Sequence, residues 1–157
     1  MQTCTSKATS INKTKLPAIF KKIDWEQFRG KTVLDIGCGR YTEHIEAFLE
    51  QFGVEYVGFD PYWKPEFKLR KYGAVICSNV LNVIDDYKTV EEVHGVIRCS
   101  KVPFFITVYE GDRSGRGRKT GPDQYQRNEK AITYLWLDEC LCKGVITKPL
   151  YADLYLK

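Results

Sequence analysis

The chain has 157 residues, a hydrophobic share of 43% and a charged share of 28%, proportions typical of one soluble globular domain. No apolar run reaches the roughly 20 residues of a membrane span, and the first residues lack the apolar core of a secretory signal. We therefore expect a cytoplasmic protein without membrane contact. The six cysteines form no C-x-x-C pair and the two histidines have no metal-binding spacing, so we expect reduced cysteines and no metal site.

The net charge of +4 is concentrated in one short segment. Four cations fall within seven residues that contain no acid: Arg113, Arg116, Arg118 and Lys119. Without these four, the 24 basic side chains fall to 20, the number of acidic ones. The remainder of the chain is therefore electrically balanced, and the excess charge belongs to one loop.

We expect residues 1–157 to form a single domain. Its N-terminal part is predicted to be flexible over 1–15 and helical after that. Apolar side chains recur at helical spacing from Leu16 to Ile23, and Trp25 and Phe28 extend the apolar surface. An N-terminal helix over 16–29 is therefore predicted.

Strand and helix patterns alternate through the rest of the chain. Strands are predicted at 31–36, 55–59, 74–77, 104–109, 145–147 and 152–156. Helices are predicted at 42–52, from Asp85 or Asp86 onward with Tyr87, Val90, Val93, Val96 and Ile97 inward, and at about 128–143. Residues 110–127 are expected to form a polar loop. The alternation predicts an α/β fold, a three-layer α-β-α sandwich around a mostly parallel, doubly wound sheet, with the last two strands as an antiparallel edge.

A glycine turn follows the first buried strand, and the residues around it limit which ligands it could bind. A dinucleotide turn has the pattern G-x-G-x-x-G/A, but Thr42 occupies the third position. Asp35, two residues before Gly37, would repel a pyrophosphate and suits a ligand with a positive amine. Asp60 ends the second strand, where a carboxylate binds ribose hydroxyls. An amine and a ribose without a phosphate describe S-adenosylmethionine (SAM).

Three segments in this order resemble the class I (Rossmann-like) SAM-dependent methyltransferases, particularly small phage and bacterial members. The segments are DIGCG at residues 35–39, the acid Asp60, and AVICSNVLNVI at residues 74–84. The resemblance covers about 32–110. It implies the cofactor-binding residues Asp35, Gly37, Cys38, Gly39, Asp60, Pro61, Tyr62, Ser78, Asn79 and Val80. It places Asp35 near the amine, Asp60 on both ribose hydroxyls, and 61–63 beside the adenine.

Two features depart from the family pattern. Only 13 residues separate Asp60 from Ala74, too few for the usual further strand and helix, so the sheet is expected to lack one edge strand. The segment after the third strand is also not the N/D-P-P-Y/F of enzymes that methylate base amino groups, which disfavours that reaction.

The methyl acceptor is expected near the loop that follows the strand ending at Tyr109. Candidates for positioning it are Asn79, Asn82, Tyr109 and Glu110. Glu110 and Asp112 could also act as a general base or orient a substrate amine. Arg113, Arg116 and Arg118 are expected to bind an anionic substrate. A phosphorylated metabolite or a nucleic acid fits this charge, and a small acceptor is expected to fit better than a duplex because we expect no separate recognition domain.

Other interpretations of the sequence remain open. The chain could bind SAM without transferring a methyl group, as a lyase, sensor or scaffold, or it could be a nucleic-acid-binding module that uses the basic loop. The loop itself could be only a solvated connection. A nicotinamide-dependent oxidoreductase is disfavoured by Asp35 and Thr42. The sequence does not indicate the oligomeric state.

Overall fold

The computed structural model of the chain describes residues 13–121 and 124–129. The predicted helix over 128–143, apart from its first two residues, and the two predicted closing strands lie outside these residues. The described part is an α/β fold with a four-stranded parallel sheet and a separate two-stranded antiparallel sheet.

The parallel sheet has the order β2-β1-β3-β4. The chain runs through β1 (Thr32–Ile36), α1 (Glu43–Glu50), β2 (Glu55–Phe59), β3 (Ala74–Ser78), α2 (Tyr87–Ser100) and β4 (Phe104–Thr107). It leaves β1 for β2 on one side and returns to β3 on the other. Leu34 of β1 lies opposite Val57 on one side and Val75 on the other. No further strand of this sheet forms in the connection 60–73, so β2 is an edge strand of the described sheet.

Each face of the sheet has its own hydrophobic cluster. Successive side chains of a strand point to opposite faces, and all five residues of β1 are buried. Leu34 and Ile36 belong to the cluster that contains Ile97 of α2. Val33 belongs to the cluster that contains Leu49 of α1 and the aromatic residues before β1. Because both faces of β1 are buried, its sequence is a nearly continuous apolar run that contains one acidic residue.

The N-terminal segment differs from the single helix predicted over 16–29. It contains two 3-10 helices, Ala18–Lys21 and Trp25–Phe28. Trp25 and Ile23 are two residues apart, which would place them on opposite sides of one α-helix, yet both are buried in the same cluster. Breaking the helix brings both inward, and the indole of Trp25 then donates to the Phe20 carbonyl oxygen at 2.7 Å.

The helix α2 begins at the second of its two candidate caps. The carboxylate of Asp86 accepts from the backbone N–H groups of Lys88 and Thr89 at 3.2 and 3.1 Å, which is an N-terminal cap. Two residues predicted on the inner face are exposed instead, Tyr87 at 45% and Val96 at 39%.

The buried stripe of α2 runs through Val90, Val93, His94 and Ile97, which is helical spacing. Val96 lies off that stripe. Tyr87 turns instead toward Glu129, to which its hydroxyl donates at 2.6 Å.

The loop predicted over 110–127 contains an antiparallel hairpin. Its strands are β5 (Arg118–Gly121) and β6 (Gln124–Gln126). The strand β4 also ends at Thr107, before the predicted Tyr109. The hairpin strands are polar on both faces, so they lack the alternation from which a strand is predicted.

Candidate functional site

The glycine turn after β1 has two residues in the left-handed region and contacts the segment after β3. Gly37 and Gly39 have φ values of 75° and 72°, which favour glycine. A Cβ atom at Gly37 would lie 2.4 Å from Cγ2 of Val80. Glycine at this position therefore lets the ends of β1 and β3 approach each other.

The backbone donors of the turn are already used within the protein. The N–H groups of Gly37 and Cys38 donate to the Phe59 carbonyl oxygen at 2.7 and 3.2 Å. The N–H of Gly39 donates to Oδ2 of Asp60 at 3.1 Å. A phosphate site at such a turn requires donors directed at the ligand. These three donors are directed at the end of β2 instead.

Asp60 joins the glycine turn to the loop that follows β2. Its side chain is 2% exposed. Besides Gly39, it accepts from the N–H groups of Tyr62 and Trp63 at 2.9 and 3.0 Å, both on Oδ1. A carboxylate has about four acceptor positions, so one position on Oδ2 is left for a ligand. Asp60 therefore holds the turn and the following loop together, and by this count one acceptor position on Oδ2 has no donor from these three groups.

Asp35 is a buried carboxyl whose partner was not predicted. Its side chain is 4% exposed, and the hydroxyl of Tyr56 donates to its Oδ2 at 2.7 Å. Burial raises the pKa of Asp35 from 3.8 to about 7, against the lowering effect of the Tyr56 hydrogen bond, and the charge of Asp60 raises it further. Since a buried carboxylate needs a counter-charge, this position favours a cation.

Tyr56 could have been found from the strand pairing. It lies opposite Val33 in the parallel register, and Val33 and Asp35 are two residues apart, so both are on the same face of the sheet. Burial and the neighbouring Asp35 raise the pKa of the Tyr56 phenol, so the hydroxyl remains a donor to the carboxylate.

Cys38 fills space inside the turn. Its side chain is buried and its Sγ donates to the Gly39 carbonyl oxygen at 3.5 Å. Burial and the charge of Asp35 raise the pKa of this thiol to about 12, and a thiol in that state is not a nucleophile. A Cβ atom at Gly58 would lie 2.7 Å from the same sulfur, so Cys38 packs directly on β2.

Two basic residues near the turn were not singled out in the sequence. Lys64 forms a bridge with Asp60 through backbone hydrogen bonds, and its ammonium group donates to the hydroxyl of Thr42 and lies 3.5 Å from Glu46. The guanidinium of Arg40 lies 4.9 Å from the centre of the Trp63 ring, within cation–π distance. No local motif marks either residue, because both contacts cross from the turn to the loop after β2.

The loop after β2 exposes aromatic surface beside Asp60. Tyr62 is 51% exposed, and its ring meets that of Trp63 edge to face at 4.7 Å. Pro61, which precedes them, is exposed. The segment 61–63, predicted to flank an adenine, thus presents ring surface next to the Asp60 carboxylate.

The end of β3 is tied to the end of β4. The hydroxyls of Ser78 and Thr107 lie 2.9 Å apart, and the N–H of Asn79 donates to the Thr107 carbonyl oxygen at 2.7 Å. Asn79 has a φ of 56° and an exposed side chain. Its conformation turns the chain back toward the glycine turn, which Val80 then contacts.

The four residues predicted to position an acceptor have different surroundings. Tyr109, two residues beyond Thr107, is 57% exposed. Glu110 is half-buried and pairs with Arg113 at 2.5 Å. Asn82 is 4% exposed, and its carbonyl oxygen accepts from the N–H of Arg127 at 2.6 Å. Asn79 and Tyr109 are therefore the accessible members, whereas Asn82 lies beneath the chain that leaves the hairpin.

The three arginines predicted to bind substrate are exposed. Arg113 pairs with Glu110. Within the described residues no carboxylate lies within ion-pair distance of Arg116 or Arg118, although Arg118 is close enough to Asp112 to help lower the pKa of that carboxyl. Among the described residues Arg113 thus forms an ion pair, whereas Arg116 and Arg118 form none.

Comparisons with protein-family models, curated proteins and solved structures gave no match. Within residues 13–121 and 124–129, no helix has both the length and the apolarity to cross a bilayer. In the same ranges, no three histidine, cysteine, aspartate or glutamate side chains converge as they would around a metal ion. Cys38 and Cys77 are buried free thiols and Cys99 is an exposed one.

Proposed function

We propose that the protein is a SAM-dependent methyltransferase whose cofactor lies at the ends of β1, β2 and β3. The observation that supports this most directly is the contact between the three segments of the family resemblance. Asp60 accepts from Gly39 within the turn, and Val80 lies against Gly37. Segments that are distant in sequence, and that the resemblance assigns to one cofactor, thus meet at one edge of the sheet.

The strand order supports the same location. In open parallel sheets, ligands bind beyond the carboxyl ends of the strands where the strand order reverses. Here the chain passes from β1 to β2 on one side and then to β3 on the other, so the reversal lies between β1 and β3. With clusters on both faces of the sheet, we interpret the fold as the doubly wound, three-layer sandwich of this enzyme class.

The carboxyl of Asp35 fits the positive amine of SAM. Among the described residues only Tyr56 donates a hydrogen bond to it. The charge of Lys64 acts on the carboxyl without an ion-pair contact, so a ligand ammonium group would supply a counter-charge in direct contact. The bonded N–H groups of the turn fit a ligand without phosphate. They disfavour a nicotinamide dinucleotide, whose pyrophosphate needs such donors.

Asp60 can bind fewer ribose hydroxyls than the resemblance implies. Three backbone donors occupy its carboxylate, so we expect one ribose hydroxyl on Oδ2 rather than both. Tyr62 and Trp63 beside it offer ring surface to the adenine. No further strand forms in 60–73, and Pro61 and Tyr62 beside Asp60 are exposed.

SAM supplies an electrophilic methyl group, so the protein is required mainly to hold a nucleophile in line with it. Asn79 and Tyr109 are accessible at the edge of the sheet where the cofactor is proposed, and we assign them to positioning the acceptor. Asn82 is buried and Glu110 is paired with Arg113, so their roles in this proposal are to support the chain around the site.

The proposal is tested by incubating the purified chain with SAM that carries a radiolabelled methyl group and with RNA, DNA or metabolite extracts. Label in one acceptor fraction is expected, and Asp35→Asn should reduce it at least tenfold. The matched control is Glu50→Gln, an equal charge change on the exposed end of α1. SAM binding without labelled product would instead favour a SAM-binding sensor, lyase or scaffold.

A further inference from the structure

The segment after β4 carries the unbalanced charge of the protein, and the structure gives it a definite shape. Residues 113–117 lead into β5, which pairs with β6. We call residues 113–121 with 124–126 the basic hairpin. Its cations, Arg113, Arg116, Arg118 and Lys119, are all exposed.

The basic hairpin is fixed to the end of β3. On its far side the N–H of Arg127 donates to the Asn82 carbonyl oxygen at 2.6 Å, and its Nε donates to the Ile84 carbonyl oxygen at 2.6 Å. The Arg127 guanidinium is 3.9 Å from the centre of the Tyr87 ring. On its near side, the chain leaves β4 at Thr107, which is bonded to Ser78 and Asn79. Both ends of the hairpin are therefore tied to the edge that carries the proposed cofactor site.

The shape of the basic hairpin does not suit a small anion. Pockets for small molecules are concave and bury most of the ligand, whereas these cations are exposed, two of them on β5 and two in the segment that leads into it. Arg118 and Lys119 are consecutive in β5, so their side chains point to opposite faces. This divergent arrangement suits an extended polyanion, which can follow several cations along the hairpin, better than one small phosphate.

The composition of the basic hairpin favours phosphodiester contacts over a protein interface. Cations, small polar side chains and backbone N–H groups are the usual partners of nucleic-acid phosphates. Protein–protein interfaces usually have an apolar core, and the described hairpin residues offer only the half-buried Tyr125 as a large apolar side chain. Tyr109, two residues beyond the end of β4 and 57% exposed, offers a ring on which an unpaired base can stack.

We propose that the basic hairpin binds the backbone of a single-stranded nucleic acid, with a base stacked on Tyr109, and that this strand is the methyl acceptor. The second part rests on the proposed methyltransferase function. The first part, binding of the strand, stands without it.

Binding is measured with the full chain by fluorescence anisotropy on labelled poly(U) and poly(dT), at about 50 to 200 mM salt. The triple variant Arg116→Gln, Arg118→Gln and Lys119→Gln should weaken binding at least tenfold. Its salt slope should fall by about 2, because each phosphate contact on a single strand contributes about 0.7. Tyr109→Ala should weaken single-strand binding several-fold and leave duplex binding unchanged.

The matched control removes the same charge from exposed lysines elsewhere: Lys21→Gln, Lys68→Gln and Lys71→Gln. This variant should bind both polymers like the wild type. An equal loss in the control, or equally tight binding of polyglutamate or of vesicles of anionic lipid, would overturn the inference, since the hairpin would then attract any polyanion. Equal affinity for a duplex of the same length would also overturn it.

Calorimetry with SAM separates this inference from the proposed function. The triple hairpin variant should bind SAM like the wild type. If neither the wild type nor the triple hairpin variant binds SAM, while the wild type binds poly(U) and the triple variant does not, the nucleic-acid surface stands and the methyltransferase proposal fails. If SAM binds but neither polymer does, the methyltransferase proposal stands and this inference fails.

Discussion

Asp35 is proposed to bind the amine of SAM as a carboxylate, yet its burial makes the ionised form costly for the stability of the folded protein. Burial raises its pKa to about 7, so the folded protein holds a proton there that the unfolded chain has lost above its pKa of 3.8. The stability that this proton contributes is complete below 3.8 and is lost as the pH rises through 7. The three-unit rise corresponds to about 4 kcal/mol.

We therefore predict that Asp35→Asn increases the free energy of unfolding of the ligand-free protein by at least 1 kcal/mol at pH 8 and changes it little at pH 4. Urea unfolding at both pH values measures the difference. Glu50→Gln, exposed on α1, should show no such pH dependence. If Asp35→Asn destabilised the protein equally at both pH values, the carboxyl would not be held at a raised pKa.

Asp60 differs from Asp35 in its partners, because three backbone N–H groups donate to its carboxylate. An asparagine at this position keeps one acceptor oxygen and turns an NH2 group toward backbone N–H groups. We predict that Asp60→Asn lowers the free energy of unfolding by roughly 1–3 kcal/mol. The matched control is Asp112→Asn, whose exposed carboxylate accepts from the Ser114 N–H, and which should cost less than about 0.5 kcal/mol. Equal losses in urea unfolding would contradict the buried role of Asp60.

The turn between β1 and α1 is predicted to tolerate no side chain at its first glycine. Gly37 combines a φ of 75° with a Cβ position 2.4 Å from Val80, whereas Gly30 has a φ of 73° and nothing within 4 Å of that position. Gly30→Ala should cost roughly 1–2 kcal/mol for the backbone conformation alone. Gly37→Ala should cost roughly 1–3 kcal/mol more, because it also crowds Val80.

A double-mutant cycle with Val80→Ala isolates the contact. The double variant should recover most of the extra cost of Gly37→Ala and none of the part that Gly30→Ala shares. Thermal or urea unfolding gives all four values. If Gly30→Ala and Gly37→Ala cost the same, the end of β3 does not press on the turn.

The hairpin β5–β6 depends on one buried cation for its attachment. Arg127 is 3% exposed, and its guanidinium contacts the Ile84 carbonyl oxygen, Glu129 and the Tyr87 ring. Arg127→Met keeps the length of the side chain and removes these polar contacts. We predict that hydrogen exchange of the β5 and β6 amides becomes at least tenfold faster, with little change in β1.

The control for this variant is Arg29→Met, which removes an exposed pair with Glu26 that contributes little. Its hairpin amides should exchange like those of the wild type. Unchanged exchange of β5 and β6 in Arg127→Met would show that the hairpin is held by other contacts.

At the scale of the molecule, local patterns predicted the buried elements well. The second strand was predicted at its observed bounds, 55–59, and the strand at 74–77 and the helix after Asp86 followed from apolar spacing and a capping acid. These elements are specified by their own residues, because burial and capping act over short ranges of sequence.

The elements that were missed depend on contacts between distant residues. The break in the N-terminal helix follows from the need to bury Trp25 and Ile23 together, and the polar hairpin from the anchoring of Arg127 at Asn82 and Ile84. In the candidate site, the glycines and both acids were predicted as a group. Tyr56, Lys64 and Arg40 were not, since each reaches the site across the sheet or from the following loop.

Titration calorimetry tests most directly whether the glycine turn with Asp35 binds SAM, as we propose. The wild type should bind SAM and S-adenosylhomocysteine, should not bind NAD, and should bind SAM more tightly at pH 8 than at pH 6, because an ionised Asp35 favours the cationic amine. Asp35→Asn should weaken SAM binding at least tenfold and remove that pH dependence. Binding of NAD without any response to SAM, or SAM affinity unchanged in Asp35→Asn, would contradict this proposal.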